Sequence, residues 1–188
     1  MTNSMNTAMA NAALSQLVVV DAQIKLAPAM HAEPMSLVIK NIDILAQACQ
    51  LLQIPVIVTE QYPQGLGETL AEIAKYIQPL RAISKMTFSA CKTPKFIQQC
   101  VREKPQLILT GMEAHICVLQ TALDLVASGK KVFVVEDAII SRQPANKANA
   151  IARMREAGCV ITNTESVVFE WLGNAEGEAF KVISKLIR

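Results

Sequence analysis

Four short runs constrain this chain most: LVVV at 17–20, PVIV at 55–58, QLIL at 106–109 and KVFVV at 131–135. Each is apolar along nearly its whole length rather than at alternate positions. Strands of that kind are buried on both faces, as in a parallel sheet covered by helices on either side. Segments with apolar residues at helical spacing separate them. Ser36–Leu52 reads as a helix with Ser36 at its N-cap, and Gly67–Ile77 as a second. Thr93–Lys104 reads as a third, with Thr93 as N-cap and Pro94 in the first turn. CVLQTALDLVASG forms a fourth that stops at Gly129, and a fifth opens at Pro144 and closes at Gly158. RAISK, ending at Lys85, and CVITN add two shorter strands, and ESVVFEWL and EGEAFKVISKLI two terminal helices. This alternation predicts an α/β chain: a three-layer sandwich around a mostly parallel, doubly wound sheet of about six strands. No repeat or linker divides the chain. It reads as a single domain over residues 1–188, with 1–16 a soft lead-in to the first strand.

Composition narrows the function classes. Of 188 residues, 52% are hydrophobic and 18% charged, the reverse of a disordered chain. The net charge is +2 and no dense Lys/Arg stripe appears, which argues against nucleic acid as the main partner. No uninterrupted apolar run approaches the ~20 residues of a membrane span. The stretch MTNSMNTAMANAALSQ lacks the basic residues of a secretion or organelle signal, so a cytoplasmic location is expected. Five cysteines, an odd number with no C-x-x-C pair, argue against a disulfide framework and a zinc ribbon. Two histidines, His31 and His115, are too few for a His-rich metal site. No metal and no cofactor are therefore expected.

Ligands of doubly wound sheets bind beyond the carboxyl ends of the strands. That rule selects Asp21 after the first strand, Glu60 and Gln61 after the second, Lys85 after the third, the Gly111–Cys117 turn after the fourth and Asp137 after the fifth. Each alone has a plain structural reading. Asp21 suits a turn, Lys85 a surface, Cys117 a core, and Asp137 the capping of a later segment. On one sheet edge, Asp21, Lys85 and Cys117 carry the parts of covalent acyl transfer. A helix start and a nearby lysine favour the thiolate, and a carboxylate can take and return the proton. Turn N–H groups can stabilise an oxyanion. His115 is the alternative base. Residues two apart at a turn point in different directions, which favours a lining or structural role for it; His31 reads as a solvated loop residue.

The motifs LVVVDAQ, SKMTFSA and GMEAHICVLQTALDLVASGKKVFVVEDA, in this order, resemble the isochorismatase-like cysteine hydrolase superfamily over roughly Leu17 to Leu172. TEQYPQGLGET and SRQ…ARMREAG are similar to the isochorismatase domain-containing branch. The resemblance implies the same parallel-sheet sandwich and a catalytic Asp21–Lys85–Cys117 triad. It also implies a cis Met112–Glu113 peptide and an oxyanion hole from the N–H groups of Glu113 and Cys117. Gln23, Gln61, Phe88 and His115 become candidate substrate-binding residues. A homo-oligomer, dimer or larger, is expected. The metal-binding histidines of related nicotinamidases have no counterpart in VTEQYPQGLGE, which again points away from a metal. The presence of Cys117 leans towards amide or related C–N hydrolysis of a small molecule. The alternatives are an isochorismatase-type ether hydrolase, a small-molecule-binding member without turnover, and a redox-sensing thiol.

Overall fold

The computed structural model describes residues 8–76 and 82–187. Six strands form one all-parallel sheet: β1 (Ser15–Val20), β2 (Val56–Gln61), β3 (Ile83–Lys85), β4 (Gln106–Met112), β5 (Lys131–Ile140) and β6 (Val160–Thr162). Their order is β3-β2-β1-β4-β5-β6. The chain winds outward from β1 to one edge, then returns to β4 on the other side of β1. The crevice between the β1 and β4 ends is thus the topological switch point. Register brings Val20 beside both Thr59 and Gly111, and Gln61 beside Lys85.

The helices are α1 (Ala32–Leu52), α2 (Pro63–Leu66), α3 (Ala71–Ala74), α4 (Pro94–Gln99), α5 (Leu119–Ala127), α6 (Pro144–Glu156), α7 (Thr164–Leu172) and α8 (Gly177–Leu186). Side chains alternate across each strand, so Leu17 and Val19 enter one core and Val18 and Val20 the other. The first core lies under α1, α7 and α8, through Ile42, Leu45, Trp171 and Ile183. The second lies under α4, α5 and α6, through Phe96, Leu119, Ala122 and Met154. This two-sided burial is why the strands carry unbroken apolar runs.

The structure differs from the sequence reading in its joints. α1 starts at Ala32, not Ser36; Ser36 lies inside the first turns and its hydroxyl donates to Ala32 O at 3.0 Å. With 21 residues, α1 is by length and composition apolar enough to cross a membrane. Its Met35, Val38, Ile42, Leu45 and Cys49 are instead buried on the sheet.

The helix expected over Gly67–Ile77 shrinks to α3, and Ile77 lies outside the described residues. The Glu60 carboxylate holds Thr69 N and Oγ1, each at 2.7 Å, and keeps the preceding stretch out of the helix. The helix expected over Thr93–Lys104 ends at Gln99. There Gln16 takes over the backbone, donating to Gln99 O at 3.0 Å and accepting from Val101 N at 3.1 Å. β5 continues to Ile140, so Asp137 lies within the strand rather than at its end. Its carboxylate receives Thr164 N and Oγ1, each at 2.9 Å, at the start of α7. Before β1, Ala10 N donates to Glu170 Oε2 and Asn11 N to Gln106 Oε1, both at 2.7 Å.

Gly111 is where β4 passes closest to β1. Its φ is +106°, and a Cβ there would lie 2.0 Å from Val20 O and 2.7 Å from Val20 N, both backbone atoms that cannot swing aside. Gly129 has φ +82° and open space around the same position. Gly129→Ala should therefore cost only the left-handed backbone penalty, about 1–2 kcal/mol. Gly111→Ala should cost clearly more than about 3 kcal/mol or prevent folding. Urea unfolding of the two variants checks the contrast.

Candidate active site

Asp21 leaves β1 in the left-handed region, with φ 50°, a conformation that Asp tolerates better than most residues. Its N–H donates to Thr59 O at 3.1 Å. This turn aims the carboxylate back across the strand ends. Oδ1 accepts from Thr59 Oγ1 and Oδ2 from Lys85 Nζ, each at 2.7 Å. Both side chains of the ion pair are 0% exposed. Lys85 Nζ also approaches Gln61 Oε1 at 2.7 Å, Phe88 O at 3.1 Å and Thr87 O at 3.2 Å. Four acceptors share three ammonium protons, so the cation is fully engaged by oxygen.

Cys117 stands opposite this pair in a π-helical turn, Ala114–Val118, between β4 and α5. The sequence reading placed it at the mouth of a regular helix; the wider turn instead precedes α5. The Met112–Glu113 peptide is cis. Ile116 N and Val118 N both return to Glu113 O, at 3.1 and 3.3 Å. The Glu113 carboxylate is gripped from the β5–α6 connection, by Arg142 N at 3.0 Å and Arg142 Nε at 3.1 and 3.2 Å.

The thiol is 7% exposed. Burial and then the Asp21 charge push its pKa up to about 12, against a smaller opposing pull from Lys85. Asp21 and Lys85 also act on it through hydrogen bonding. The sequence expectation was the opposite sign, a thiolate favoured by the helix start and the lysine. Lys85 is already neutralised by Asp21, and burial penalises the anion. Cys117 thus rests as a thiol with the Asp21 carboxyl group beside it.

The other sequence candidates occupy different positions. Gln23 is fully buried rather than in solvent. It accepts from Gln61 N at 2.8 Å and donates to Gln61 O at 3.0 Å and Gly67 O at 2.6 Å, extending β2 past its last strand bond. Gln61 spends its amide on Lys85 Nζ and, at 3.0 Å, on Met86 O. Phe88 is 53% exposed and lines a cleft of about 250 Å³ with Thr87, Ser89, Gln120 and Leu123. His115 turns away from Cys117: Nδ1 meets Ser141 Oγ at 2.9 Å and Nε2 meets Asn146 Nδ2 at 3.4 Å. His31 is exposed, at the start of α1.

Sequence reasoning missed Thr59, Arg142 and Ser141. Thr59 carried a signal, being the one hydroxyl inside the apolar run PVIVT. Arg142 and Ser141 carried none, because their partners come from a distant turn. Among the described residues, no group of three or more His, Cys, Asp or Glu is arranged to hold a metal ion.

Comparison with known proteins places this geometry in a family. The isochorismatase domain model matches residues 15–166, which include all three converging side chains. The chain belongs to the isochorismatase family. Human isochorismatase domain-containing protein 2 is 40% identical over 147 residues, covering 77% of this chain and 69% of the relative. The secreted isochorismatase effector Isc1 of Phytophthora sojae is 39% identical over 157 residues, covering 80% and 74%. Among solved structures, the MAR1 ribonuclease of Caenorhabditis elegans superposes with a TM-score of 0.88 at 35% identity, covering 95% of this chain and 92% of that one. The Escherichia coli YcaC product, described as an octameric hydrolase of unknown specificity, shares the fold with a TM-score of 0.89 at 21% identity. Membership of the isochorismatase family makes the chain a hydrolase.

Leaving either member of the buried pair alone is expensive. In this isochorismatase-family chain, Lys85→Met and Asp21→Asn should each destabilise by about 3–5 kcal/mol. The double variant should cost less than the sum of the two, because it strands neither charge. Urea denaturation of the four proteins gives the coupling directly.

Proposed function

We propose that this chain is a cysteine hydrolase of small amides or related C–N substrates, working through a covalent thioester on Cys117. The observation behind this reading is a buried Cys117 thiol, its pKa pushed up by burial and by Asp21, beside a carboxylate that a buried lysine holds at 2.7 Å. As Sγ bonds to the substrate carbonyl carbon, its proton passes to Asp21 and the carbonyl electrons move onto oxygen. The N–H groups of Glu113 and Cys117 receive that oxyanion. Collapse expels the amine, which takes the proton from Asp21. Water then gives a proton to Asp21 and adds to the thioester, and Cys117 leaves as the thiol. Lys85, 2.7 Å from Oδ2, keeps the Asp21 carboxyl group oriented while it takes up and returns the proton.

The roles of the remaining candidates follow from their contacts. Phe88 is read as the substrate-contacting wall. Gln23 and Gln61 act by placing Lys85, and His115 by supporting the Cys117 turn. Ether hydrolysis of the isochorismatase type is the less favoured reading, because it gives the thiol no bond to form. The name of the nematode relative suggests RNA cleavage; against it, Lys85, the described cation that acts on Cys117, is already paired with Asp21 rather than open to a phosphodiester. We also place the protein in the cytoplasm as a homo-oligomer, in line with the octameric YcaC neighbour.

The test is intact mass after acid quench during turnover of a panel of small amides. An acyl adduct on Cys117 is expected in the wild type and none in Cys117→Ala. Asp21→Asn should slow its formation by about 10²–10⁴-fold. Turnover of amides, ethers or RNA that survives in Cys117→Ala would contradict the proposal, as would a wild type that neither forms an adduct nor turns over any amide.

A further inference from the structure

A second cavity, of about 360 Å³, opens between the first half of α1, the end of β5 and the start of α6. None of Asp21, Lys85, Cys117 or Phe88 lines it. Its volume falls within the range of small-molecule sites. Leu37, Val38, Ile140 and Pro144 make its walls largely apolar. Three features of its charge agree.

Lys147 lines the cavity and is half-buried. No described residue gives its ammonium a hydrogen bond or an ion pair, and burial holds its pKa below the ordinary lysine value, with Glu136 and Asp137 acting the other way. The helix that carries it, α6, begins at Pro144 with no side-chain cap from Gln143 and no acidic residue in its first turn. Pro144 has no N–H and Asn146 N and Lys147 N return to Gln143 O at 3.0 and 3.3 Å, so Ala145 N is the first-turn donor without a described partner, at the positive end of the helix dipole. Asp137 also borders the space, but its Oδ1 is taken up by Thr164, and Asn41 Nδ2 is spent on Asp137 O at 2.8 Å.

We infer that this cavity binds a small organic monocarboxylate, its carboxylate on the Lys147 ammonium at the positive end of α6, and its apolar body on Leu37, Val38 and Ile140. The charge of Asp137 restricts the ligand to a single negative charge, since a dicarboxylate would face it. The site is separate from the thiol but joined to its turn. Ser141 in the cavity wall meets His115 Nδ1 at 2.9 Å, and His115 lies two residues before Cys117.

The experiment is an NMR titration of the full chain with 4-phenylbutyrate, using 4-phenylbutyramide as the neutral control. Saturable amide shifts are expected around Leu37, Ile140 and Ser141 in the wild type and equally in Cys117→Ala, which separates this site from the proposed chemistry. Lys147→Gln should weaken binding by about tenfold or more, and Lys147→Arg should retain it. Urea unfolding confirms that both variants are folded. The inference is overturned by equal binding of acid and amide, by Lys147→Gln binding as the wild type does, or by shifts confined to Phe88 and the Cys117 turn. It is also overturned if the wild type shows no saturable shift. If, in that case, Leu37→Glu dissociates an oligomer, the face is a subunit contact instead.

Discussion

The Asp21–Lys85 ion pair, wholly buried at the switch point of a parallel sheet, is the interaction on which the rest of the site depends. An ion pair in such a place is not primarily a source of stability, because desolvating two charges offsets most of their attraction. What it supplies is a fixed carboxylate at a fixed place. Thr59 and the left-handed turn at Asp21 aim it; Gln61 and two backbone carbonyls hold its cation. Gln23 secures the end of β2, so that Gln61 stands where Lys85 needs it. The strand ends are thus tied together by side chains where the sheet's own hydrogen bonds stop.

The Cys117 site is built on the opposite logic. Its surroundings raise its pKa rather than lower it, and the nearest anion is the carboxylate. A thiol of this kind is quiet towards casual electrophiles and becomes a nucleophile only as its proton leaves. That arrangement is what the proposed hydrolysis needs, with Asp21 as the base paired to Cys117 from the start. It also separates Cys117 from Cys49, whose thiol is raised by burial alone and has no partner charge acting on it.

Much of the fold was legible because burial on two faces leaves a continuous apolar signature. The strands at Leu17, Pro55, Gln106 and Lys131 start where the sequence puts them, to within a residue or two. The errors fall where one distant side chain overrides local preference. Gln16 ends α4 early, Glu60 pulls Thr69 out of a helix, and the register shift past Leu109 lets β5 run beyond Asp137. In the site, strand ends picked out Asp21, Lys85 and Cys117, and the structure brings these three together. The sign of the thiol's titration is not legible in local sequence, because helix position and a nearby lysine favour the thiolate while burial, which only the fold shows, outweighs them. The inward turn of Gln23 and the outward turn of His115 depend on partners far along the chain, and neither is visible in local pattern.

The central claim is that Cys117 rests as a protonated thiol beside the Asp21–Lys85 pair. The direct measurement is the thiolate ultraviolet absorption of the wild type minus that of Cys117→Ala as a function of pH. The account predicts no Cys117 thiolate signal at pH ~8 and a rise only as pH approaches the value of about 12 set by burial and Asp21. A Cys117 thiolate already formed at or below pH ~7, as in cysteines activated by cationic surroundings, would contradict it.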